Sequence, residues 1–222
     1  MRAVSVILIA IVVGWLCGCG QAPRRTANSL DYILQSKRTV SLGTFEATGS
    51  QLVVADPGYD LDTVRVPGLG AVLTNCQTGT WRAEVIIKHF DPPGFSLTSE
   101  LRAVHSSISD LGTLQWERQH DGIGTDTAQA GVYDVAHFHD HSLVPRDIKW
   151  TVGQSGPAIP DDLWYSYCCE LTCGKPEGGV LPFGVVTTSG KGDGGYEYSV
   201  ARDAAGKIIG VWIVFVDDSG KG

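Results

Sequence analysis

Short apolar runs rich in β-branched and aromatic residues alternate along this chain with Gly, Pro and Asp, the residues that turns select. The clearest case is residues 190–218, GKGDGGYEYSVARDAAGKIIGVWIVFVDD, in which Tyr196–Arg202 and Ile208–Val216 predict two strands joined through Asp203-Ala204-Ala205-Gly206. Trp81–Phe90 predicts a second strong strand, ended by Asp91-Pro92-Pro93-Gly94, with Phe95–Ser106 as its antiparallel partner. Ser41–Val54 predicts one or two short strands, and Ala71–Asn75, Leu114–Arg118, Gly122–Tyr133 and Val180–Thr188 predict more. Helix is expected only over Asp134–Trp150 and Asp161–Cys169, each opened by an Asp able to cap it. These patterns predict a mainly β domain: an antiparallel sandwich or partly open barrel with one or two short helices and a C-terminal hairpin.

The first forty residues follow a different logic. Met1-Arg2 precedes an apolar run, Ala3–Leu16, too short to span a bilayer as a helix but of the right length for the core of a signal peptide. The following Leu16-Cys17-Gly18-Cys19 resembles the bacterial lipobox, whose Cys is acylated and becomes the new N-terminus. The resemblance implies a signal peptide over 1–18, lipidation at Cys19, a tether over 19–40 and a single domain over 41–218. The domain is then held outside the cytoplasm, in the cell envelope, with the membrane as its partner through lipid.

Composition narrows the function. Among 222 residues, 43% are hydrophobic and 18% charged, and 28 are Gly, as a turn-rich globular domain requires. A net charge of −7 argues against nucleic-acid binding. With Cys17 assigned to the signal and Cys19 to lipid, Cys76, Cys168, Cys169 and Cys173 remain, an even set that an oxidising compartment favours as disulfides. The expected pattern joins Cys76 to the cluster and makes a second bond within it.

Two constellations carry candidate chemistry. His137-Phe138-His139-Asp140-His141, with Asp134 just upstream, offers nitrogen and oxygen ligands to zinc or a related metal. It resembles the H-x-H-x-D-H of the metallo-β-lactamase fold, one residue short and without the later ligands. The second set comprises Asp56, Asp126, Asp134 and Asp193, with Asp60 and Asp62. If the turns holding Asp56, Asp126 and Asp193 meet at one end of the sheet, paired carboxylates can do acid–base work or hold Ca²⁺. The alternative is that each Asp accepts the backbone N–H two residues on and shapes its own turn. No nucleophile elbow or phosphate loop is present.

Taken in order, Ala55-Asp56-Pro57, Gly79–Val85, Gln115-Trp116-Glu117, Asp126–Asp134 and Gly190–Tyr196 resemble the motifs of an uncharacterised bacterial family of domains of unknown function. That family carries an A-D-P turn, a D-S-G-x-A-G segment and a terminal G-D-G-G-Y before a hairpin; here Thr127-Ala128 stands where the pattern has Ser-Gly. The resemblance implies a mainly β single domain and no particular activity, and it places Tyr196 with Asp56, Asp126 and Asp193 as a candidate ligand or acid–base site. The sequence thus predicts a lipid-anchored binding or envelope protein, its protein or small-molecule ligand unspecified. Competing with this are a metal-dependent hydrolase built on the histidines and a protective, immunity-like protein. No cofactor is required; a metal ion is the one candidate.

Overall fold

The computed structural model describes residues 33–91, 94–146, 148 and 162–218. The expected signal peptide and the expected lipidation residue, Cys19, lie outside these. The first strand, β1 (Ile33–Ala47), begins inside the stretch expected as tether. It is followed by β2 (Gln51–Ala55), a single-turn helix α1 (Leu61–Val64), β3 (Gly70–Thr74), β4 (Gly79–Asp91) and β5 (Phe95–His105). Then come β6 (Trp116–Arg118), β7 (Ile123–Thr125), β8 (Gln129–Asp134), the helix α2 (Leu163–Cys173), β9 (Gly178–Leu181), β10 (Gly184–Thr188), β11 (Gly194–Arg202) and β12 (Ile208–Val214).

The strands form two antiparallel sheets. The larger runs β1-β4-β5-β12-β11-β6, with β7 also on β11; the smaller runs β3-β2-β8-β10-β9. The result is a sandwich, not a barrel. Alternation along the strands builds the core between the sheets: Trp81, Val85 and Leu101 point inward from the larger sheet, and Leu52, Val54, Val132 and Val185 from the smaller. Trp81 is fully buried, and its indole N–H donates to the Gln77 carbonyl, so its one polar atom stays satisfied. Truncating it to Ala costs about 3–5 kcal/mol.

The smaller sheet is covered on its outer side as well. Val53, Ala55, Tyr133 and Val186 face α2, whose Trp164 and Cys168 are buried against them. Strands buried on both faces read as continuous apolar runs, which is why residues 180–188 look like one strand. They fold back at Pro182-Phe183 into β9 and β10, paired antiparallel.

Two expectations are corrected. Asp134–Trp150 is not helical over its described part: it holds two single 3₁₀ turns, Val135–His137 and His141–Leu143, started by Asp134 and Asp140. His139 between them takes φ +61°, which interrupts any helix. Second, Cys76, Cys168 and Cys169 are buried thiols outside any disulfide, so neither the expected Cys76 bridge nor the expected bond from Cys168 or Cys169 to Cys173 is formed. Cys76 lies in the core between the sheets, while Cys168 lies beyond the smaller sheet. A whole sheet separates them, farther than a disulfide reaches. Burial pushes the Cys76 thiol up to about 11 and Cys168 higher than an ordinary thiol as well.

Candidate functional site

One end of the smaller sheet gathers the turns that hold Asp56, Asp126 and Asp193. β2 ends there at Ala55, β8 begins there at Gln129, and the loop between β10 and β11 carries Gly190–Asp193. Asp56 is fully buried at the junction. One of its oxygens accepts from the Gly58 N–H at 2.7 Å and the Thr127 hydroxyl at 2.6 Å. The other accepts from the N–H groups of Asp126 at 2.7 Å and Thr127 at 2.8 Å. Asp193 completes the set, accepting from the Ala128 N–H at 2.9 Å. Three successive amides, those of Asp126, Thr127 and Ala128, are therefore held by two carboxylates from distant parts of the chain.

The Gly192 carbonyl is held as firmly. It accepts from the hydroxyls of Thr125, Ser189 and Tyr196 at 3.2, 2.7 and 2.6 Å. Gly190 takes φ +65°, and a Cβ there would stand 2.5 Å from the Thr98 carbonyl oxygen. Only glycine lets the loop pass that close. Tyr196 is consequently a loop anchor, buried, with its hydroxyl turned to the backbone.

These contacts assign roles. Asp56 combines both sequence readings: it shapes its own turn through Gly58 and reaches across to the 126–127 amides. Burial raises its carboxyl above the usual value in spite of the four hydrogen bonds, which act the other way. Its acceptor capacity is used internally, so Asp56 is a structural clamp. Asp193, for which shaping its own turn is one of the two alternatives, accepts from the Ala128 N–H and so clamps the 126–128 turn. Asp126 is exposed, as is Asp193. Beside them the Tyr59 hydroxyl is shielded from solvent without a hydrogen bond of good geometry; burial, and then the neighbouring Asp126 carboxylate, push its phenol well above the ordinary value.

Asp134 does not join this group. It sits at the opposite end of the sheet, paired in register with Leu52, and clamps a different loop. It accepts from the Thr48 N–H and hydroxyl, the latter at 2.7 Å, from Gly49 N–H at 3.1 Å and from Ala136 N–H at 2.9 Å. Burial is the largest single influence on its carboxyl and acts upward, but the hydrogen bonds together outweigh it and the net shift is downward. A cavity of about 260 Å³ lies beside it, bordered by Ser50, Gln51 and Thr74.

The histidines diverge. His137 stacks on Phe183 with ring centroids 3.8 Å apart, and His139 stacks on Trp164 at 4.6 Å. His139 Nε2 lies 3.0 Å from the Tyr59 carbonyl oxygen, and its Nδ1 lies 3.5 Å from Asp162, the residue that caps α2 through the Tyr165 N–H. Among the described residues no three His, Cys, Asp or Glu side chains gather as metal ligands, so the expected three-imidazole site at His137, His139 and His141 is not formed there. The alternation that would align them needs a strand, and the two 3₁₀ turns break it.

Sequence reasoning missed Thr127 and Tyr59. Thr127 looked like a departure from a pattern; its hydroxyl in fact makes the shortest of the bonds to Asp56. No family model, no curated protein and no solved structure matches the chain.

Proposed function

We propose that this chain is a lipid-anchored extracytoplasmic domain that works by binding, with its recognition surface at the loops of residues 56–60, 126–128 and 190–195. One observation carries the reading. The carboxylates of Asp56 and Asp193 are spent on fixing the 126–128 turn, which presents exposed Asp126 beside Tyr59 on a pre-shaped surface. Fixing loops before binding lowers the ordering cost of association, which is what a binding surface needs. A catalytic role for Asp56 would need a free lone pair or a movable proton, and its four bonds leave little room for either. The anchor is supported by the apolar run 3–16 and the Leu16–Cys19 motif.

Two comparisons test the proposal in the native host. Cys19→Ala is expected to move the protein from the membrane to the soluble fraction; unchanged partition overturns the anchor. Affinity capture from envelope extract is expected to recover a partner with the wild type and to lose it with Asp126→Lys, while Lys207→Glu at the opposite end retains it. Equal capture by both variants overturns the assigned surface.

A further inference from the structure

A second polar cluster lies inside the molecule, between α2 and the smaller sheet, and the binding surface does not use it. Along the outward face of β8 stand Gln129, Gly131 and Tyr133; the neighbouring β10 places Thr188 directly opposite Gln129. Gln129 is 4% exposed and Tyr133 1%. The Gln129 side-chain N–H donates to the Cys169 sulfur of α2 at 3.4 Å, which fixes the amide with its oxygen turned away. That oxygen, the Thr188 hydroxyl and the Tyr133 hydroxyl are all shielded from solvent, and none has a hydrogen-bond partner within the protein.

Their placement relative to one another is constrained. Directly opposed residues of an antiparallel pair have Cβ atoms about 4.5–5.5 Å apart, so Gln129 and Thr188 are immediate neighbours. The Tyr133 ring lies back along its own strand over Gly131: a Cβ on Gly131 would collide with the phenol oxygen. The hydroxyl is thus brought to the position next to Gln129, about 6.5–7 Å along the strand from it at backbone level. The absence of a side chain at Gly131 is what admits it.

Three neighbouring buried groups, two hydroxyls that donate and accept and one amide oxygen that accepts, form a set that a small polar molecule satisfies. Leaving them unmet is costly in a medium of low polarity. Groups arranged in this way are the normal lining of an internal water, which makes two to four such bonds. We propose that the interface between α2 and the smaller sheet is a binding site for internal water, held by the Gln129 amide oxygen and the hydroxyls of Thr188 and Tyr133. All three groups stand on the sheet, beneath the direct bond from the Gln129 side-chain N–H to Cys169 of α2. This inference is independent of the proposed recognition surface.

The test uses the full chain and reads both the water and its energetic effect. Magnetisation transfer in NMR is expected to show long-lived water in contact with the Gln129 side-chain amide and the Thr188 methyl group. Tyr133→Phe deletes one hydroxyl and preserves the ring. If that hydroxyl holds water, the variant unfolds about fivefold more readily at equilibrium, the effect of one lost net hydrogen bond. If the hydroxyl is unpaired, removing it relieves a penalty, and the variant is as stable as the wild type or more so. Thr188→Val is expected to weaken the water signal at Gln129 as well. Absence of long-lived water in the wild type, or a Tyr133→Phe variant of equal or greater stability, overturns the proposal.

Discussion

The Asp56 carboxylate and the Thr127 hydroxyl, 71 residues apart in sequence, meet at 2.6 Å. This bond ties the A-D-P turn after β2 to the turn before β8, and the same carboxylate holds the amides of Asp126 and Thr127. Removing it leaves buried donors without an acceptor. Asp56→Ala should therefore destabilise the domain by at least about 3 kcal/mol, since each unsatisfied donor costs about 1–3 kcal/mol. Asp193→Ala, which releases one amide at an exposed site, should cost about 0.5–1.5 kcal/mol. Urea unfolding monitored by tryptophan fluorescence measures both; equal costs would contradict the clamp.

Acid titration separates the two clamps. The Asp134 carboxyl is depressed in the folded state, so its contribution is present above the ordinary value of 3.8 and is lost as pH falls through the folded value. The Asp56 carboxyl is raised, so its contribution has the opposite sign: present below 3.8 and lost as pH rises through the folded value. The stability gap between wild type and Asp134→Asn should narrow on acidification below about pH 4, whereas the gap for Asp56→Asn should widen as pH falls toward about 4 and change no further below it. Stability curves that move in the same direction for both variants would refute this pair of assignments.

Ala128 takes φ +57°, a left-handed conformation that glycine adopts without strain. Ala128→Gly should stabilise the protein by about 0.5–1 kcal/mol, the relieved strain exceeding the entropy glycine adds to the unfolded chain. A thermal midpoint that falls would count against it. Gly190→Ala should do the reverse, at a cost of about 1–3 kcal/mol, because its Cβ would meet the Thr98 carbonyl at 2.5 Å.

The sandwich was legible because strand alternation and turn residues are local. Trp81–Phe90 and Ile208–Val216 announce themselves, and the observed β4 and β12 overlap them almost fully. The site was legible only in part. Asp56, Asp126 and Asp193 do converge, as their shared pattern suggested, but their division into clamp and surface depends on contacts across 65 to 71 residues. Asp193 followed by glycines reads as a residue shaping its own turn; its real partner, the Ala128 amide, is invisible to spacing. The histidine run misleads for a related reason: whether three imidazoles share a face is decided by the backbone at His139, which the side-chain pattern does not specify.

Thiol chemistry offers a separate check on the cysteine correction. Cys76, Cys168 and Cys169 are buried thiols outside any disulfide, and burial raises the thiols of Cys76 and Cys168, so at these two little thiolate forms near neutral pH. In the folded protein these three should resist iodoacetamide for hours and react within minutes in denaturant. Mass spectrometry of tryptic peptides reads each position. A Cys76 that never alkylates without reductant would restore the disulfide expectation.

The recognition surface is tested most directly by site-resolved cross-linking in living cells. A photo-reactive residue is placed at Asp126 in the full chain, and in a second strain at Lys207 at the other end of the sandwich. A discrete cross-linked partner at position 126 and none at 207 is the predicted result. Identical patterns at both positions, or no cross-link at 126 in folded, membrane-associated protein, would contradict it.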